Sequence, residues 1–212
     1  MTEFRAALRA GVALYDAGEF HAAHDPWEAA WLPLESGTDD ERLLHGLIQS
    51  TAAVHHARGR NWSGAVGLAG SAREYLEGLP AQYRGIDIDT VSRYLRALER
   101  DPERVERARP PMLTHEGDVL AATDLGFEAA TIAAEVLAEE HGFDGEVVAD
   151  AVAFAREEQG TGRSRFAAMV YDFLAGEPTR AFVFDRLERH VARKRREATD
   201  VAGLFEERDV DG

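Results

Sequence analysis

The sequence has no cysteine, and Lys194 is the only lysine among its 24 basic residues. Without thiols there is neither a disulfide framework nor a thiolate metal centre, and a stapled secreted fold is not expected. Long apolar runs are missing as well. No stretch approaches the roughly 20 residues a membrane helix needs. The opening Met1-Thr-Glu-Phe-Arg5 lacks the basic and apolar regions of a secretion signal. The expectation is a soluble, cytoplasmic protein that does not engage membranes. Also missing is any Val/Ile/Thr-rich alternation bounded by hairpin turns, the pattern of a half-buried strand.

What is abundant is acid. The formal charge is −15, with 39 Asp and Glu residues against the 24 basic ones. Such a field opposes non-specific nucleic-acid binding, whose affinity comes from cations meeting phosphates. An acidic surface nearly devoid of lysine is expected of a protein kept soluble in concentrated salt, where screening removes its self-repulsion. A GC-rich genome would account for arginine replacing lysine, but not for the acid.

Apolar residues recur three and four apart almost throughout, so the fold class is all-α. Two bundles are expected. Residues 1–109 form about five helices, and 114–199 add a C-terminal extension of about four. Pro110-Pro111 mark the break, because paired prolines cannot continue a helix. Residues 200–212 form an acidic tail without regular structure. In the first bundle, Phe4, Leu8, Val12 and Tyr15 trace one face of an opening helix that ends near Gly18. A second helix starts between Ala22 and Pro26 and carries Trp27 and Trp31, with Asp25 and Glu28 reading as a variant capping box. A third spans about Asp39 to Arg58, a fourth about Ser63 to Glu77, and a fifth about Asp89 to Arg100. The extension reads as helices near 123–140, 144–158, 164–175 and 179–198.

The chemistry concentrates in His21-Ala-Ala-His24-Asp-Pro-Trp-Glu28-Ala-Ala-Trp31 and the helix after it. His24, Glu28 and Trp31 stand at i, i+4 and i+7, while His45, Gln49 and His56 form a polar stripe on the next helix. Packed antiparallel, the two helices would bring His24 and Glu28 opposite Gln49 and His56. An imidazole–carboxylate pair suits proton transfer near neutral pH, with Glu28 or His56 as base and His24 as acid or ligand. Gln49 and Asn61 would orient a bound molecule, and Trp31 would wall the pocket. Three readings stay open: a catalytic or ligand pocket, one side of a divalent-metal site, and a hydrogen-bonded network with only structural meaning. The two-histidine helix motif of zinc proteases is absent. A rival to any ligand function is an interaction or homo-oligomerisation module, in which these residues fix helix packing.

Elsewhere the structural explanation is preferred. Arg189, Arg193, Lys194, Arg195 and Arg196 complement the negative end of the last helix's dipole. Gly160-Thr-Gly162-Arg163-Ser164-Arg165 is an interhelix turn rather than an anion cradle, since no strand precedes it. His115 and His141, flanked by acidic residues, are expected at the surface.

Phe20-His-Ala-Ala-His24-x-x-x-Glu28-x-x-Trp31, followed by Gly46-Leu-Ile-Gln49, His56, Asn61 and Gly64-Ala65, resembles a helical family numbered 309 among the domains of unknown function. The resemblance covers roughly residues 4–100, and the composition is that of a haloarchaeal-type member. It implies a small α-helical bundle with His24, Glu28, Trp31, Gln49, His56 and Asn61 at the signature positions. It carries no established reaction.

Overall fold

A computed structural model describes residues 2–158, 164–176 and 179–206, with the side chains of residue 2 and of 200–206 excepted. The chain divides into two compact units, Met1–Glu140 and His141–Gly212. Among the described residues there are nine α-helices and four two-residue strands, so the all-α expectation holds.

The first unit opens with α1 (Thr2–Ala17), whose buried face includes Leu8, Val12 and Tyr15. Gly18 ends it with φ +90°, and the amides of Gly18 and Glu19 bond back to the carbonyls of Tyr15 and Leu14. That pair of bonds is a Schellman cap, and its left-handed residue favours glycine. Next come α2 (His24–Trp31), α3 (Asp39–Arg58) and α4 (Trp62–Leu76). Trp27 is fully buried and donates its indole N–H to the Leu8 carbonyl, tying α2 to α1. Thr38 caps α3 by accepting from the Glu41 amide. The α3–α4 contact is close because Gly46 leaves room for Leu76: a Cβ at position 46 would meet the Leu76 side chain at 2.6 Å. α5 (Ile88–Arg100) follows, capped by Asp87 through the Thr90 amide.

Four short strands, missed by sequence pattern, complete the unit. β1 (Gln82–Tyr83), β2 (Ile86–Asp87), β3 (Thr114–His115) and β4 (Asp118–Val119) form one antiparallel meander. Its two hairpins turn on Arg84-Gly85 and Glu116-Gly117, all four residues having positive φ. Two consecutive left-handed residues define the tight type I′ turn whose twist suits paired strands. His115 is therefore not at the surface as expected. It sits in β3, 2% exposed, its Nδ1 facing a guanidinium nitrogen of Arg9 at 3.2 Å. Burial, then Arg9, holds its pKa below the ordinary histidine range.

The expected break at 109–114 does not separate the units. β3 and β4 lie beyond it and pair back onto β2, and α6 (Phe127–Glu140) packs against α1. The facing surfaces are small: Ala6, Ala7, Ala10 and Ala13 are buried on α1, and Ala129, Ala130, Ala133 and Ala134 on α6.

The second unit contains α7 (Gly145–Glu157), α8 (Arg165–Leu174) and α9 (Arg180–Glu206). Its core includes Val148, Val152, Phe173, Met169 and Leu187. It holds three helices rather than four, because α6 belongs to the first unit. α9 continues to Glu206, so the start of the supposed acidic tail is helical, and Arg189–Arg196 lie mid-helix rather than at the dipole's negative end. There Arg193 pairs with Glu197 at 2.8 Å, and Arg195 with Asp150. The Gly160–Arg163 turn and residues 207–212 lie outside the described residues. No helix is long and apolar enough to cross a membrane among the described residues.

Candidate functional site

α2 begins at His24, and the preceding Ala23 offers no side-chain cap, so Asp25 and Glu28 do not form the anticipated capping box. Their carboxylates turn to the imidazole instead. His24 Nε2 lies 3.0 Å from Asp25 Oδ1 and 3.8 Å from Glu28 Oε2, and one ligating atom from each residue falls within 4.8 Å of the others. The other ring nitrogen, Nδ1, is 2.5 Å from the backbone carbonyl of His21. A carbonyl only accepts, so Nδ1 must carry a proton and donate it. The Nε2 edge then faces two carboxylates either as an imidazolium or as a bare lone pair. A bare Nε2 there is free to accept a proton or to ligate a cation held between the three groups. His24 and Asp25 are half-buried and Glu28 is exposed, so the cluster opens to solvent.

More imidazoles surround it. His21 stands edge-on to His24 with centroids 5.3 Å apart, at the same separation from His55, and pairs with Glu140 of α6 at 2.7 Å. Burial, helped by His21 and His56, pushes the His55 pKa below its ordinary value despite Glu140. Burial raises the Asp25 carboxyl, Glu139 and Glu28 reinforce it, and His24 and His21 oppose it. A shallow hollow of about 350 Å³ is lined by His21, His55, Arg58 and Glu140, among others.

The remaining signature residues go elsewhere. Trp31 donates its indole N–H to Glu41 Oε1 at 2.8 Å, and Glu41 also accepts from the Gly37 amide at 3.2 Å and faces His45 Nδ1 at 3.3 Å. The His45 ring lies 4.7 Å from Trp31 and stacks on Tyr75 at 3.7 Å. Burial alone would raise the pKa of Glu41, yet the hydrogen bonds from Trp31, Gly37 and His45 outweigh it and hold the carboxyl below the usual range. Sequence reasoning missed Glu41, although Thr38-x-x-Glu41 is a capping-box pattern that marks a carboxylate folded back on its helix start.

His56 sits at the C-terminal end of α3 and joins the turn into α4. The Asn61 side chain accepts from the Gly64 amide through Oδ1, at 3.1 Å, so its Nδ2 faces His56 Nδ1 at 2.7 Å. Nδ2 donates, which places the His56 proton on Nε2. A Cβ on Gly64 would come within 2.7 Å of both partners, explaining that glycine. Gln49 is half-buried on α3, and no interaction ties it to His24 or Glu28 among the described residues. Thus His24 and Glu28 meet as expected, while Trp31, His56 and Asn61 serve two other clusters.

A helical bundle bearing a solvent-open histidine–carboxylate cluster at the start of one helix is what fold and site together define. Residues 8–68 match the family described as Domain of unknown function (DUF309). The match takes in every position on which the resemblance rested, from Phe20 to Ala65. No curated protein matches the chain.

Proposed function

We propose that the first unit binds a divalent transition metal through His24 Nε2, Asp25 Oδ1 and Glu28 Oε2, in a site able to support hydrolytic or proton-transfer chemistry. The observation that carries this reading is the hydrogen bond from His24 Nδ1 to the His21 carbonyl. It directs a ring nitrogen at two carboxylates, which is how metal-binding imidazoles are commonly oriented. Ligands about 2.0–2.1 Å from a tetrahedral zinc stand roughly 3.3 Å apart, and the observed 3.0 and 3.8 Å bracket that spacing. One imidazole with two carboxylates suits zinc or manganese better than magnesium. Three protein ligands facing solvent leave positions for water and substrate, and His21 and His55 stand near as proton acceptors. In this reading Glu28 is a ligand rather than a free base, and His56 and Gln49 lie outside the reacting centre.

Calorimetric titration with Zn²⁺ and Mn²⁺ tests it. Saturable binding should raise the unfolding temperature by several degrees, since ligand at about a hundredfold its Kd adds about 2.7 kcal/mol. Glu28→Gln should abolish the effect and His56→Asn should keep it. Equal binding by both variants, or none by the native protein, rejects the site.

We also read the acid-rich composition as adaptation to salt. The unfolding midpoint should then climb from dilute buffer to molar potassium chloride, and a flat or falling midpoint overturns that reading.

A further inference from the structure

A second hollow in the first unit, of about 430 Å³, lies between the end of α1, the end of α3 and the segment around Pro110. Its volume is that of a site for a small organic molecule. Arg58 and Arg109 both line it, and neither is paired with a carboxylate among the described residues. Other arginines of the unit, Arg5, Arg42, Arg60, Arg73, Arg84 and Arg107, do have acidic partners. The rest of the lining sets the apolar side chains of Phe20, Val105, Pro110 and Met112 beside Tyr15 and the carboxylates of Asp16 and Glu106. Arg58 lies over the Phe20 ring at 5.2 Å, and Pro110 and Met112 also line the hollow, with Met112 46% exposed. Glu106, also at the wall, is engaged by Arg60 at 2.9 Å.

We infer that this hollow binds a small organic anion, a carboxylate or phosphate monoester on an apolar body, with Arg58 and Arg109 holding the anion and Phe20, Pro110 and Met112 covering the body. Guanidinium is the side chain best shaped for either anion, and desolvation by an apolar wall strengthens the contact. The inference does not depend on the metal site. Asp16, also in the lining, opposes an anion. Its Oδ1 accepts from the Leu113 amide at 2.8 Å, while Oδ2 is shut from solvent with no hydrogen-bond partner. Asp16 therefore shapes the wall without meeting the ligand, and its charge acts on the ligand only through space.

The three methionines make the test direct: Met112 reports on the hollow, and Met169, fully buried in the second unit, is an internal control. With ¹³C-methyl-labelled methionine in the full chain, phenyl phosphate and benzoate are titrated separately, with phenol as the neutral probe. The Met112 signal should shift saturably with at least one of the two anions, while Met169 stays fixed and phenol has no effect. Whichever anion binds more tightly identifies the preferred head group. Arg58→Gln and Arg109→Gln should each weaken binding about tenfold, the effect of one charge-assisted contact. Asp16→Asn should tighten it a few-fold by removing the opposing charge. Several results would overturn the inference: no shift of Met112 up to about 10 mM of either anion, phenol binding as well as phenyl phosphate, native affinity in both arginine variants, or weaker binding by Asp16→Asn. Arg109 lies in a surface segment without a partner, so its variant remains informative if Arg58→Gln disturbs the Phe20 contact.

Discussion

The two ends of α2 carry similar side chains in opposite circumstances. At its C-terminal end Trp31 meets Glu41 and His45, whose ring stacks on Tyr75. The carboxylate there is 7% exposed, and donors from Trp31 and Gly37 satisfy it. At its N-terminal end His24 meets Asp25 and Glu28, which are open to water and share a single imidazole between two negative groups. A closed, satisfied network specifies packing, whereas an open, under-satisfied one keeps capacity for a ligand. The contrast separates the structural half of the signature from the half proposed to bind metal.

The contrast breaks most decisively at Glu41. Glu41→Leu leaves the Trp31 indole and the Gly37 amide without their acceptor and removes the partner of His45, so it should cost about 3 kcal/mol in urea unfolding. A loss below about 0.5 kcal/mol would show that the network has no structural weight. The pH response follows from the sign of the shift. The folded carboxyl titrates below its unfolded value, so its stabilisation is present above about pH 4.5 and fades as pH falls through the lower folded pKa. Glu41→Gln should flatten that acid limb.

Asp16 makes the opposite case and the next largest effect. Burial raises its pKa to about 6, outweighing the opposing backbone amides of Leu113 and Leu120. A carboxyl raised on folding contributes stability below its unfolded pKa of 3.8 and loses it as pH climbs through 6. Asp16→Asn keeps an acceptor for the Leu113 amide and removes the charge. With allowance for partial exposure, the variant should be more stable by about 1 kcal/mol at pH 8 and no more stable at pH 4. A gain of equal size at both values would trace the effect to packing instead.

How much of this the sequence discloses depends on the range of each interaction. The bounds of α3, Asp39–Arg58, are legible because Thr38 and Gly59 flank a long apolar period. The His24–Glu28 pair is legible because residues four apart on a helix are neighbours. Trp31 was misplaced for a simple reason: seven residues share a face but stand about 10 Å apart along the axis, so each end meets different partners. His56 lies eleven residues beyond His45, and the local turn at Asn61 claims it. β3 left no alternation to read, being two residues long, and only the Gly85 and Gly117 turns hint at it. The attachment of α6 to α1 is hidden because an alanine face fits many helices equally well.

The smallest expected effect is at the open end of α2, and it sharpens the comparison most. Glu28 is exposed, its nearest partner, His24 Nε2, is 3.8 Å away and shared with Asp25, and solvent takes the remaining lone pairs. Removing its charge relieves repulsion from Asp25 about as much as it weakens attraction to His24. Glu28→Gln should therefore change metal-free stability by less than about 0.5 kcal/mol, the usual range for an exposed polar pair. The same variant should lose the rise in unfolding temperature that Zn²⁺ gives the native protein. Loss of metal response at unchanged stability marks Glu28 as a ligand. A stability cost near that of Glu41→Leu would place both ends of α2 in one structural network.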